Sequence, residues 1–468
     1  MNALQVIMVI YMAAMLMVGL VVSRYVRNVT DFLLAGRRLG FFLATATLAA
    51  THLGGGFILG SGEYGYKYGL GGIWYGAACG LGLIILGLFL AKKLRALALY
   101  TAPDYLEMRY GGKTVRVLAA LLSLIALVGI LAAQVKAAEG VMVTLGFNPV
   151  GGAVAATVIF IIYTAMAGLW GVTITDFIQV IIGGIGVLAA ALLALSATGG
   201  LAAIASAKAG TNFMSTGSIG VGSILWIVIP TVMYTLIGQD FLQRMFASKD
   251  ESTARNSSLA SGILLVILAV FPVLAGMAAT LKYPALENAR AAIPTMVADV
   301  FPPIIGGIVL AAIMAAVMST ADSLLCAGTS HVIKDLYVST FNPKVDMDQR
   351  KVLYWSMIST VVLGILALLI ALSVPGIIDA LIWAYSMYIA GVFFPLVGGV
   401  VWPRATREGA VAGMVVGALV ALAATLKLIS FGSVPLEIFG ALASLVVFVV
   451  VSLLTKPAAM PQPKAPAA

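Results

Sequence analysis

Apolar runs long enough to cross a membrane recur along the whole chain, and they decide the fold class. About twenty apolar residues in a helix reach across a hydrocarbon layer ~30 Å thick. Lipid offers the backbone no partners, so each run must satisfy its own amides and carbonyls as a helix. Thirteen spans are expected, near 5–23, 41–66, 70–91, 116–145, 149–167, 173–196, 223–244, 259–281, 303–331, 352–373, 376–402, 409–427 and 436–455. With 62% hydrophobic and only 10% charged residues among 468, soluble classes are excluded. The expectation is an all-α polytopic membrane protein, one transmembrane domain over 1–455 embedded in a lipid bilayer.

The formal charge of +9 reads as an orientation signal, not as a nucleic-acid surface. With the N-terminus outside, 21 of the 27 Lys and Arg fall in inward loops and the tail, from Arg24 and Arg27 through Arg244, Lys249 and Arg255 to Lys456 and Lys464. An N-out, C-in topology follows, with a Pro- and Ala-rich cytoplasmic tail, 456–468, expected to be disordered. The first span has no small-residue cleavage site and is read as retained. Cys79 and Cys326 both fall in spans and suggest neither a disulfide framework nor a metal centre.

The most informative span contains Ile308–Ser330, IVLAAIMAAVMSTADSLLCAGTS. Ser319, Asp322 and Ser323 are spaced i, i+3 and i+4 and share a helix face, with Thr320 beside it. Hydroxyls and a carboxylate deep in hydrocarbon cost several kcal/mol unless something satisfies them. Oxygen donors without Cys or His suit a hard cation. Interhelical hydrogen-bond glue would account for Ser319 and Thr320 but not for Asp322. Two spans carry helix breakers at mid-depth: LGGGF (Leu53–Phe57) in span 2 and LIGQD (Leu236–Asp240) in span 7. Each opens a set of five spans, and five being odd, the second set is inverted (about 41–196 and 223–402). Broken helices at matching places in inverted halves point to a transporter's midplane binding site.

Other polar residues within the spans are ambiguous. His52, beside the glycines, reads as a satisfied core residue or as a proton-linked group. Gln134, Lys136 and Glu139 lie in span 4, where Lys136 and Glu139 either pair at i, i+3 or face a solute. Asp176 shares a cation or proton with Asp322, or belongs to the first turn of its helix after Thr173 and Thr175. Asp240, Gln239 and Gln243 flank the second break. Trp74, Tyr75, Tyr234, Trp383, Tyr385 and Tyr388 either line a pocket or anchor span ends.

The segments DFLLAGRRLG (Asp31–Gly40), TAPDYLEMRYG (Thr101–Gly111), GLWGVTITDFIQ (Gly168–Gln179) and AAVMSTADS (Ala315–Ser323), in that order, resemble the sodium:solute symporter family over spans 1 to 11. The resemblance implies a leucine-transporter-type fold, a five-plus-five inverted repeat with one extra N-terminal and two extra C-terminal helices. It implies secondary symport driven by Na+, with a sodium site at Ala50, Leu53 and Ala316 (backbone) and Ser319 and Thr320 (side chains). A second sodium of some members maps to Asp176, Ser319, Asp322 and Ser323. Asp322 stands where those members carry a hydroxyl, so that position takes a sodium or a proton. The stretch Gly54–Trp74 is similar to the high-affinity choline transporter branch, with Trp74 matching one of its aromatics. Gly238, however, stands where that branch has a choline-contacting tryptophan, and choline is not expected.

The resulting expectation is a sodium-coupled importer of a small organic solute, working as a monomer by alternating access in a plasma membrane, prokaryotic inner membrane by preference. The solute would sit near Gly54, Gly55, Trp74, Gln134, Lys136, Tyr234, Gln239 and Asp240. Alternatives are proton coupling through His52, Asp176 or Asp322, and a membrane solute sensor. The sensor is disfavoured because the chain ends within about fifteen residues of its last span. No nucleophile–base pair or metal cluster suggests an enzyme.

Overall fold

A computed structural model describes residues 2–347, 350–373, 377–429 and 434–456, with side chains of 377–384 and 436 excepted. Residues 457–468 of the expected tail and the side chain of Trp383 lie outside the described residues. Among the described residues, ten stretches are long and apolar enough to cross a membrane. Two are double passes. Gly56–Ala96 contains the reversal at Gly69–Gly72, and Pro149–Ala197 is broken at Gly168. Counting these twice and adding the shorter apolar helix Tyr385–Val401 recovers the thirteen expected spans.

Gly168 reverses the chain because its φ of 50° and ψ of −149° are open to glycine and strained for other residues. A Cβ there would also lie 2.5 Å from the Phe32 carbonyl. Contacts of the first helix, Ala3–Val22, report the reversal. Tyr11 bonds Gln179 and Gly19 packs on Tyr163. Residues 163 and 179 would be ~24 Å apart in a straight helix, twice the ~12 Å between positions 11 and 19. The turn at Gly168 brings them back to matching depth.

The helix Pro303–Ser330 runs through the middle of the bundle, and every residue from Val309 to Ser330 is buried. Ala and Gly let neighbours approach on all sides, as membrane helix packing favours. Its C-terminal end continues as a π-helix, His331–Phe341. There Asp335 and Arg116 pair at 2.7 Å, and Arg116 also holds Asp104 and Glu107 of the helix Ala102–Tyr110.

Both expected breaks are present. Phe41–His52 stops at Leu53 (φ −73°, ψ 47°), and helix resumes at Gly55 with a π turn at Gly56–Gly60. Only Gly54 of the three glycines lies at the break. Gly55 and Gly56 are there for space, because a Cβ would meet Ala137 Cβ at 2.6 Å and Tyr75 Oη at 3.0 Å. The second break is one residue, Gly238 (φ −59°, ψ 124°), between Gly220–Ile237 and Gln239–Ala247.

Gly168→Val is expected to destabilise the protein by at least about 2 kcal/mol, from backbone strain and overpacking together. Thermal unfolding of the purified protein measures it. Gly140→Ala, at a glycine with nothing within 4 Å, serves as a control that leaves stability unchanged or slightly raised.

Candidate functional site

Three polar clusters meet around the first break. The first joins the Phe41–His52 half of broken span 2 to span 9. Ser319 Oγ lies 2.9 Å from the Ala316 carbonyl and 3.1 Å from that of Ala50. Thr320 Oγ1 lies 3.1 Å from the Thr51 carbonyl and 3.4 Å from those of Ala50 and Ala316. These oxygens are three carbonyls and two hydroxyls with only two hydroxyl protons among them, a surplus of lone pairs that suits a hard cation. Leu53 turns out of the helix at the edge of this cluster. A Cβ on Gly183 would be 3.4 Å from Leu53 Cδ2 and 3.7 Å from Ala316 Cβ. Gly54 and Gly55 are wedged against it: a Cβ on Gly54 would lie 2.3 Å from Thr320 Oγ1, and Gly55 N–H donates to Gln134 Oε1 at 3.0 Å.

The second cluster lies deeper, around Asp176 and Asp322. Each carboxylate is fully buried with one oxygen bonded and one without a partner. Thr47 donates to Asp176 Oδ2 at 2.5 Å, and Tyr163 donates to Asp322 Oδ2 at 2.6 Å. The positive charge facing both is Arg244, itself 0% exposed. Its Nε donates to Thr47 Oγ1 (3.3 Å), its Nη2 to Ser323 Oγ (2.5 Å) and its Nη1 to the Asp240 carbonyl (2.7 Å). Thr51 donates to the Thr47 carbonyl and so accepts from Ser323 at 3.2 Å. Ionised, Asp176, Asp322 and Asp240, which all face Arg244, would outnumber the one guanidinium and leave negative charge unbalanced. Such burial is costly without a further cation.

The third cluster is aromatic. The His52 ring stacks on Phe241 at 4.2 Å, and its Nε2 meets Thr235 Oγ1 at 3.0 Å. Tyr234 sits 6.1 to 6.4 Å from the rings of Phe241, Tyr385 and Tyr388. Tyr75 is partly exposed, and its hydroxyl lies against Gly56 at the break.

The sequence-derived solute residues part company here. Gly54, Gly55 and Gln134 lie at the break, with Tyr234 in the aromatic cluster. Asp240 is buried in the first turn of Gln239–Ala247 and accepts from Tyr234 at 3.2 Å. Lys136 and Glu139 pair with each other at 2.9 Å. Trp74 donates to the Thr216 carbonyl in the loop before Gly220–Ile237, and its neighbour Tyr75 has its hydroxyl at Gly56 instead. Gln239 is tied inward to Ala102 N, the Tyr100 carbonyl and Ser330. Arg244, counted from sequence among inner-loop charges, is buried. Its partner Thr47 and the donor Tyr163 carried no signal beyond being polar within a span.

The geometry stands beside known proteins as follows. The profile of the sodium:solute symporter family matches residues 32–417. The sodium/pantothenate symporter of Haemophilus influenzae is 28% identical over 92% of this chain and 93% of its own length. The sodium/proline symporter of Escherichia coli is 26% identical over 88% of this chain and 85% of its own. In solved structures, a Na+-coupled sialic acid symporter in a substrate-bound outward-open state superposes with a TM-score of 0.85, covering 98% of each chain at 22% identity. The fold is therefore of the leucine-transporter type.

Arg244→Met is expected to cost about 3–5 kcal/mol, since it leaves two buried carboxylates without their counter-charge. Adding Asp322→Asn should recover part of the loss in denaturation measurements. A double variant no more stable than the single one contradicts this account of the charge. With its two broken spans, its oxygen cluster and its family match, the chain belongs to the sodium:solute symporter family and is a sodium-coupled symporter of a small solute.

Proposed function

We propose that this protein imports a small organic solute, with sodium held at Ala50, Leu53, Ala316, Ser319 and Thr320. The observation that carries the reading is the convergence of the Ser319 and Thr320 hydroxyls on carbonyls at the end of the broken half-helix. Sodium at that point ties span 2 to span 9, and so favours the conformation in which the solute position is formed. Coupling follows if sodium binds that conformation more tightly than the other. The unbalanced charge at Asp176 and Asp322 supports a second sodium there. Ser323 serves that position by holding Arg244, with its own hydroxyl engaged by the guanidinium.

The solute sits beside the first break, between the Gly54–Gly56 backbone and a wall made by His52, Tyr75, Tyr234 and Tyr385. Gln134 fixes Gly55, and Asp240 orients Tyr234. Relatives named for pantothenate and proline support a small organic solute as the cargo. The membrane is read as a prokaryotic inner membrane, and the strong bias of Lys and Arg to one side supports an outer N-terminus and inner C-terminus. One chain holds all of these residues, which supports a functional monomer with a single transporter domain over 1–455.

A thermal-shift screen of small solutes in sodium and in potassium tests this. A solute that stabilises the protein only in sodium is expected. Ser319→Ala and Thr320→Ala should each raise the sodium concentration for half the effect by about tenfold or more, since each removes an oxygen bonded to a charged group. Equal stabilisation in both salts overturns the sodium coupling.

A further inference from the structure

The helix Ala3–Val22 lies outside both five-helix sets, yet it reaches the carboxylate pair in two places. At Gly19 a Cβ would be 2.4 Å from Tyr163 Cβ, so the helix backbone presses on the residue that donates to Asp322. Eight residues earlier, Tyr11 is buried and its hydroxyl accepts from Gln179 Nε2 at 2.9 Å. The charged neighbours of that hydroxyl are Asp322 and Asp176. Gln179 follows Asp176 by three residues and so lies one turn along the same helix face. It is 0% exposed, and its Oε1 has no partner.

Asp176 Oδ1, Asp322 Oδ1 and Gln179 Oε1 are thus three buried acceptor oxygens without a donor, on side chains that all neighbour the Tyr11 hydroxyl. Buried polar atoms are otherwise nearly always bonded, and several acceptors left open together are what a cation position offers before the ion is added. The set is all oxygen, as sodium requires, and two of its members bring the negative charge that Arg244 leaves unbalanced. We propose that Gln179 is the third side-chain ligand of the second sodium, and that Tyr11 of the first helix is the positioning residue that holds it. The inference rests on reading the carboxylate pair as a sodium position. It makes a helix outside the repeats part of the coupling machinery.

Radiolabelled sodium binding to the purified full-length protein, in potassium-balanced buffer, tests this without a known solute. The parent is expected to bind two ions. Thr320→Ala should remove one and Asp176→Asn the other. Gln179→Leu should weaken the Asp176-dependent ion by about tenfold or more, and Tyr11→Phe by about tenfold, as loss of a ligand's support does at metal sites. Gln179→Glu keeps an oxygen and should keep the ion. In every variant the Thr320-dependent ion reports that the fold is intact. A Gln179→Leu protein that binds both ions within about twofold of the parent, while Asp176→Asn loses one, overturns this inference alone. Loss in Gln179→Glu as complete as in Gln179→Leu means the amide donates N–H to the carboxylates, and also overturns it. An unaffected Tyr11→Phe removes the first helix from the site. A parent that binds one sodium, or an Asp176→Asn protein that keeps two, overturns the carboxylate pair as a sodium position and the inference with it.

Discussion

A helix broken in mid-membrane exposes carbonyls and amides where lipid offers them no partner, and the residues near the break are arranged around that fact. Gln134 takes the Gly55 amide, while Ser319 and Thr320 crowd the carbonyls of Ala50 and Thr51. The hydroxyls cannot satisfy every lone pair they meet, and the surplus is the functional asset. Unbroken helices would offer no free carbonyls to the ion position at Ser319 and Thr320. The fully buried span 9 is what makes the arrangement possible. Its small residues bring its backbone close on every side, and its Ser319 and Thr320 hydroxyls face the break in span 2.

Charge is handled by a similar economy of partners. Arg244 does not touch either carboxylate. Thr47 stands between it and Asp176, and Ser323 takes another of its donors. A direct ion pair would satisfy the carboxylates fully and leave no oxygen for a cation. Interposing hydroxyls keeps the guanidinium near enough to offset part of the charge while each Asp retains one open oxygen. The balance between burial cost and cation affinity is set by that separation.

The sequence made the spans and the two breaks legible because they are long-range patterns: a repeated apolar length, and glycines at matching places in two sets of five. STADS was legible because several polar residues at helical spacing have no place in lipid. Finer placements were hidden where one residue decides the outcome. Trp74 and Tyr75 differ by about 100° around a helix, which sends one ring to the loop at Thr216 and the other to the break. Arg244 looked like a loop charge because it stands at the end of an apolar run, and only the helix Gln239–Ala247 carries it back among the carboxylates. Gln179 and Tyr11 are single polar residues on separate helices, and their meeting depends on the turn at Gly168. Lys136 and Glu139, in contrast, found each other at the spacing their helix provides.

The hydroxyl chain around Arg244 also has a direction. Each proton points away from the guanidinium: Thr47 toward Asp176, Ser323 toward Thr51, Thr51 toward the Thr47 carbonyl. A proton can hop along such a chain only if the group at its head gives one up, and arginine does not do so in proteins. The hydroxyls therefore behave as an insulator. They carry the electrostatic influence of Arg244 to Asp176 while drawing no proton from the guanidinium itself.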